Sequence, residues 1–324
     1  MMEASLIVEN LKTYYETDAG PVRAVDGVDL TLKRGLSLGV AGESGCGKST
    51  LGYSLINLIP PPGRIMEGRI LLEGEDVAKL SEEELRRRIR WKKISMIFQG
   101  AMNSLNPFYT IGSQMAETIA IHKPGLKMGE VEALLERSLK LVGLGTYVKN
   151  MYPHELSGGM KQRVVIAMGL MMEPNVVIAD EPTTALDVIA QAFIMELLKD
   201  LQARTGMSLI LITHDLSIIS ELADYVAVMY AGKLVEYGAL RSIYTRQRHP
   251  YTHGLIASIP RLGDKRTLKY ISGAPPDLRN PPMGCRFHPR CPYALHRCKV
   301  EEPEKMEVGE GHYVWCHRAE EELW

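Results

Sequence analysis

The stretch GESGCGKS, Gly42 to Ser49, fits the pattern of a glycine, four free positions, then Gly-Lys-Ser or Gly-Lys-Thr. Those types suit one task, cradling a polyphosphate. Glycines let successive backbone N–H groups curl round phosphate oxygens, and the N-terminus of a following helix turns its positive end toward them. In this reading Gly42, Glu43, Ser44, Gly45, Cys46, Gly47, Lys48, Ser49 and Thr50 line the nucleotide, Lys48 reaches the β- and γ-phosphates, and the Ser49 hydroxyl ligates Mg²⁺. Chance would supply such a match in about 1% of chains of this length. The complementary half is VVIADE, an apolar strand that delivers Asp180 to its carboxyl end to hold Mg²⁺ through water, with Glu181 beside it to polarise an attacking water. Cys46 is read as a spacer in the loop, the sharper alternative being a thiol acidified by the helix N-terminus.

A second constellation lies near the end of the chain. Cys285, Cys291, Cys298 and Cys316 have the spacing Cys-x5-Cys-x6-Cys-x17-Cys, while the first 284 residues contain Cys46 alone. Neither short Cys-x2-Cys zinc pairs nor the common ferredoxin spacings fit, so spacing alone leaves iron–sulfur, zinc and unligated thiols all open. His288, His296, His312 and His317 stand near enough in sequence to substitute as ligands, though solvated loop histidines are the plainer reading.

What must position these groups is read from the rest of the chain. The 324 residues are 45% apolar, enough for a large domain plus a small one, and 38 basic against 39 acidic side chains give no bulk basicity for gripping nucleic acid. No apolar run reaches the roughly 18 residues of a membrane span, and the first residues lack the layout of a signal peptide, so a cytosolic setting with reduced thiols is expected.

Up to about residue 240, short apolar runs alternate with helix-period segments, the pattern of an α/β domain around a largely parallel sheet. LSLGVAG reads as a strand entering the phosphate loop and STLGYSLINLI as the helix leaving it. GRILLEG and ISMIFQ read as strands, and SEEELRRRIRW as a charged helix opened by a Ser81–Glu84 capping box. From about 100 to 160 the strand signal gives way to a helical insertion containing EVEALLERSLKLVGLG. NVVIADE, LDVIAQAFIMELLKDLQARTG, SLILITHD and LSIISELA then alternate strand and helix, and YVAVMYAGKLVEYG reads as a hairpin turning at Ala231-Gly232-Lys233. The expected division is 1–259 for the nucleotide-binding domain and 260–324 for a proline-rich, irregular, metal-binding appendage.

The set GESGCGKS, FQGAMNSLNP, LSGGMKQR, IADE, TTALD and LITHD, in this order over about 240 residues, resembles the nucleotide-binding subunits of ABC transporters. The resemblance implies a P-loop NTPase fold of the ABC ATPase type. It makes Gln99 the residue that senses the γ-phosphate and its Mg²⁺ while facing the membrane subunits. Ser157, Gly158 and Gly159 become the signature that binds ATP held by the opposite subunit, and Asp187 belongs to a loop crossing that interface. His214 becomes a γ-phosphate switch and Tyr15, beside Tyr14, the aromatic on which adenine stacks. One P-loop and one signature per chain imply a dimer, with itself or with a homologous ATPase subunit.

The resemblance narrows further. QGAMNSLNP, IADEPTTALDV, VAVMYAGKLVEYG, RHPYTHGLIASIP and NPPMGCRFHPRCP look like the ATP-binding subunits of dipeptide and oligopeptide importers. Two transmembrane permease subunits, an extracytoplasmic peptide-binding protein acting indirectly and a place on the cytoplasmic face of the membrane are implied with it. Members usually read Asp-Pro where this chain has Gly100-Ala101, in the loop that faces the membrane subunit. In some members the C-terminal cysteines hold a [4Fe–4S] cluster, so the resemblance favours a cluster over zinc. Nickel and oligosaccharide importers share this ATPase type and stay as alternatives, as does a soluble ABC ATPase of nucleic-acid repair or translation. The last is disfavoured by the absence of a second cassette or coiled-coil insertion.

Overall fold

The structure, a computed structural model, describes residues 4–259, 271–321 and 323–324. The stretch 260–270, where the sequence places the start of the appendage, lies outside the described residues. Contacts divide the chain into two compact units, one built mainly of residues 79–210 and the other of 6–32, 36–78 and 211–324.

The second unit begins with β1 (Ala4–Tyr15) and β2 (Val22–Lys33), followed by β3 (Ser37–Ala41), α1 (Lys48–Leu55), β4 (Gly63–Leu72) and β5 (Glu75–Asp76). Strands β2-β1-β4-β5 form an antiparallel sheet in which Leu6 faces Leu72 and Tyr15 faces Gly63. Alternation along β1 buries Leu6, Val8 and Leu11, as a sheet with one covered face requires. GRILLEG, expected as a strand, supplies the second half of β4, but the largely parallel sheet expected did not include its antiparallel pairing with β1. All five residues of β3, by contrast, are buried, as in a strand covered on both faces. Helix α1 stops at Leu55, short of the apolar run that suggested a longer helix, and Asn57 takes a left-handed φ of 48°.

The first unit holds α2 (Glu82–Glu84), opened by the expected capping box from Ser81 and continuing as a π-turn over Leu85–Ile89. Then come β6 (Ile94–Ile97), α3 (Ile111–His122), α4 (Met128–Leu141), α5 (Gly158–Leu170), β7 (Val176–Asp180), α6 (Val188–Thr205) and β8 (Ser208–Ile212). β6 and β7 pair in parallel, Ile94 opposite Val176. The helical insertion is α3 and α4 with the start of α5. α4 turns Leu135, Ser138 and Leu139 inward and ends at Gly143, whose φ is 70°.

The chain returns to the second unit through the end of β8. There it forms α7 (Leu216–Leu222), β9 (Tyr225–Tyr230), β10 (Lys233–Ala239), α8 (Leu240–Thr245) and α9 (Pro250–Ala257). β3 runs parallel to β9, and β9 turns into β10 through Ala231 and Gly232, both at positive φ, where the hairpin was expected. At Gly39 a Cβ would lie 2.5 Å from the Ile219 side chain, so the glycine lets α7 press onto β3. The C-terminal segment is less irregular than expected. β11 (Met306–Gly309) and β12 (His312–Val314) pair with each other, and β12 extends the β9–β10 ribbon by pairing with β10.

Candidate nucleotide site

Gly42 through Ser49 join the buried strand β3 to α1, the strand–loop–helix order the phosphate loop needs. Gly42, Gly45 and Gly47 have φ of 151°, 79° and 105°. A Cβ at Gly42 would overlap Met229 O and one at Gly47 would overlap Ala24 O, so the loop is moulded against backbone where only hydrogen fits. Lys48, 7% exposed, donates from Nζ to Gly42 O at 2.6 Å and Glu43 O at 3.0 Å. Ser49 and Thr50 open α1, and Tyr15 OH lies 3.4 Å from Thr50 Oγ1. Tyr14 OH is taken by Asp26 Oδ1 at 2.6 Å, with burial pushing the phenol up to about 12. Of the two tyrosines, Tyr15 is therefore the one beside the loop. His214 follows β8, exposed, just before Asp215 caps α7 through Ser217 N.

Cys46 corrects one of the readings above. The thiol is buried at 4% exposure, and burial pushes its pKa up, outweighing the opposing influence of Lys48. An acidified, open thiol does not exist here, and the spacer reading stands.

In the other unit, Asp180 ends β7 at 0% exposure. Glu181 follows at φ 48°, a strained conformation for a non-glycine residue, and its carboxylate accepts a hydrogen bond from Thr184 Oγ1 at 2.7 Å. Gln99 lies exposed just past β6, before Gly100 at φ 67°. The Ser157 hydroxyl caps α5 by accepting from Met160 N, and Asp187 caps α6 by accepting from Ala190 N at 2.9 Å. These two helix starts share a cleft of about 450 Å³ lined by Ser157, Gly158, Gly159, Arg163, Asp187 and Phe193. Gly158 and Gly159 have no side chain to fill it, and a Cβ at either would stand 3.5 Å from Leu186 or Ala190. Tyr15, the phosphate loop and His214 are thus held in one unit, and Gln99, the signature, Asp180, Glu181 and Asp187 in the other. The hydroxyl of Ser49 and the carboxylate of Asp180 are hard oxygen donors of the kind Mg²⁺ selects.

The C-terminal thiols influence one another: burial pushes Cys285 up to about 12, and the charges of Cys316, Cys298 and Cys291 push in the same direction. Cys316 rises to about 11, chiefly by burial and then through Cys291 and Cys298. Yet among the described residues no three His, Cys, Asp or Glu side chains are grouped as a metal site. The nearby histidines are turned elsewhere: His288 Nδ1 to Cys285 O, His312 Nε2 to Glu236 and His317 Nε2 to Glu301 O. The expected metal-binding appendage, whether [4Fe–4S] or zinc, is therefore not supported by the arrangement of these side chains.

Sequence reasoning missed Arg290 and Tyr251, both of which touch Glu43 in the loop. No local signal could have found them, since each comes from more than 200 residues away.

A family model described as "ABC transporter" matches residues 25–184, and one described as "Oligopeptide/dipeptide transporter, C-terminal region" matches 235–298. The dipeptide transport ATP-binding protein DppD of Bacillus subtilis (strain 168) is 46% identical over 97% of this chain and 95% of its own. The oligopeptide transport ATP-binding protein OppD of the same organism is 47% identical over 95% and 87%, and DppD of Escherichia coli (strain K12) is 43% identical over 97% and 96%. Among solved structures, the dimeric structure of a bacterial ABC transporter cassette superposes with a TM-score of 0.65 at 28% identity, covering 73% of this chain and 99% of that one. CbiO1 from Clostridium perfringens, part of the transporter complex cbiONQ, gives 0.65 at 30% identity, covering 76% and 92%. With relatives 43–47% identical aligned along nearly its whole length, the chain belongs to the ATP-binding proteins of ABC transporters, a family of ATPases.

Proposed function

We propose that this chain hydrolyses ATP to power import of dipeptides or oligopeptides, as a peripheral subunit on the cytoplasmic face of a membrane transporter. The observation that carries the reading is the near full-length similarity, 43–47% identical, to peptide-transport ATP-binding proteins, together with the matching C-terminal region. Among the described residues no helix is long and apolar enough to cross a membrane, and in this reading separate permease subunits provide the passage.

In this mechanism Tyr15 stacks on adenine, the loop Gly42–Thr50 surrounds the phosphates, and Lys48 leaves its carbonyl partners for the β- and γ-phosphates. Ser49, Asp180 and Gln99 would hold Mg²⁺, which when bound would supply positive charge against that developing on the γ-phosphate oxygens. Glu181 orients and polarises the attacking water, and His214 contacts the γ-phosphate. Ser157, Gly158 and Gly159 present helix N–H groups to ATP on a second cassette, with Asp187 at the same interface. ATP therefore closes a dimer of this chain with itself or a homologous subunit, and hydrolysis opens it.

The finer reading of the C-terminal region is a [4Fe–4S] cluster or zinc on Cys285, Cys291, Cys298 and Cys316, although no such ligand group is assembled among the described residues. Metal and sulfide analysis on protein purified without oxygen decides it. Iron and sulfide lost in Cys285→Ser would carry the cluster, stoichiometric zinc a structural site, and neither metal four unligated thiols.

The transport reading is tested by uptake of labelled dipeptides in cells lacking the chromosomal copy, complemented with the parent or with Lys48→Ala. Uptake restored by the parent and absent with Lys48→Ala is expected. Parental uptake with Lys48→Ala would overturn the mechanism, and normal uptake without any copy would overturn the assignment of cargo.

A further inference from the structure

The phosphate loop is gripped from its outer side by the C-terminal region. Arg290, whose side chain is 5% exposed, donates from Nη1 to Glu43 Oε2 at 2.6 Å and from Nη2 to Glu43 Oε1 at 2.9 Å. The fork is itself held: Nε donates to Ser272 O at 2.9 Å, Nη1 approaches Tyr230 OH at 3.4 Å, and the guanidinium stands 5.7 Å from the centre of the Tyr230 ring. Glu43 is anchored at its other groups as well. Its N–H donates to Tyr251 OH at 2.9 Å, and its carbonyl accepts from Lys48 Nζ and from Cys46 N. Tyr251 is fully buried against Tyr230 and Phe287, ring centres 4.6 and 5.4 Å away, so this acceptor cannot swing aside. Nearby, Arg286 adds a buried pair with Asp26 and a hydrogen bond to Ala231 O. All of these residues lie in one unit.

A carboxylate on a loop that must receive a polyphosphate is a like charge in the wrong place. It repels the ligand unless a fixed cation neutralises it, and a bidentate guanidinium does so while also setting the direction of the side chain. We infer that Arg290 is a positioning residue for ATP: from the C-terminal region it neutralises Glu43 and turns that carboxylate away from the incoming polyphosphate. The nucleotide site of this chain thereby depends on a segment that lies outside residues 25–184, the span of the ABC transporter match. The inference rests on the nucleotide-site reading, and the test separates the two.

The experiment titrates the full chain with the fluorescent analogue mant-ATP in the presence of Mg²⁺, comparing Arg290→Gln, Arg290→Lys, Glu43→Gln and the double variant Arg290→Gln/Glu43→Gln. Arg290→Gln should weaken binding roughly five- to twentyfold, Arg290→Lys by less, since an ammonium keeps the neutralising charge although it cannot reproduce the fork. Removing the repelling carboxylate as well should return the double variant to within about threefold of the parent, with Glu43→Gln measured as the remaining corner of the cycle. A purely structural role for the ion pair gives the opposite pattern, with the double variant as weak as Arg290→Gln. That result, or Arg290→Gln binding within twofold of the parent, would overturn the inference. Should Arg290→Gln fail to fold, the double variant, which leaves neither charge without its partner, decides: binding within about threefold of the parent sustains the charge argument, and loss beyond about fivefold overturns it. Lys48→Ala is the control, because parental affinity there would place the probe elsewhere and remove the nucleotide-site reading itself.

Discussion

At the scale of single residues, the chemistry turns on how few atoms are free to choose their position. Glu181 sits at a positive φ that a non-glycine residue adopts only when its surroundings hold it there, and Thr184 Oγ1 fixes its carboxylate three residues on. Such a group is suited to orienting one water and poorly replaced by a neighbour. Glu181→Gln keeps the shape and the hydrogen-bond acceptor for Thr184 while removing the base. Mant-ATP affinity should therefore stay within about threefold of the parent while turnover falls by roughly a hundredfold or more. A closed dimer should accumulate in ATP, visible by size-exclusion chromatography. Parental turnover in this variant would show that another group serves as base.

At the scale of elements, the strand–loop–helix of β3, Gly42–Ser49 and α1 was legible because its signals are local: an apolar run, glycines at the required turns, and a lysine and hydroxyl at fixed offsets. The capping box at Ser81 and the β9–β10 hairpin were legible for the same reason. What could not be read was long-range. The pairing of β1 with β4 joins strands far apart in the chain, Leu6 opposite Leu72, and Arg290 meets Glu43 across 247 residues. The metal-site expectation came from the family resemblance, since cysteine spacing gives proximity along the chain and not the convergence of side chains, and among the described residues no such group is assembled. The loop glycines allow a graded test. Gly45 has φ 79° with open space at its Cβ position, so Gly45→Ala costs only backbone strain, about 1 kcal/mol. Gly47→Ala adds overlap with Ala24 O and should cost roughly 3 kcal/mol or more, with mant-ATP binding lost beyond tenfold. Equal melting temperatures for the two variants would mean that the loop is not moulded against β2 as described.

At the scale of the whole molecule, near-equal numbers of acidic and basic side chains leave little net repulsion at neutral pH, so acid stability is set by particular buried groups. His249 is one. It is 1% exposed, its Nδ1 accepts from Tyr251 N to cap α9, and its own N–H donates to the buried Glu236 carboxylate. Burial pushes its pKa down to about 3 from the ordinary 6.5. Below the ordinary value the unfolded chain takes up a proton that the folded chain refuses, so stability present above pH 6.5 is lost as pH falls toward 3. This residue alone then contributes a slope of about 1.4 kcal/mol per pH unit. His249→Asn retains a short polar side chain at the helix start but has nothing to titrate. Urea unfolding at pH 7, 6, 5 and 4 should therefore show the parent losing stability more steeply than the variant. Carboxylates elsewhere lose their partners equally in both proteins and cancel in the difference. Parallel acid slopes would mean that His249 takes up its proton in the folded chain, with α9 rearranged to admit it. A steeper parent would tie the acid limit of the molecule to the same buried aromatic cluster, Tyr230, Tyr251 and Phe287, that holds the phosphate loop through Tyr251.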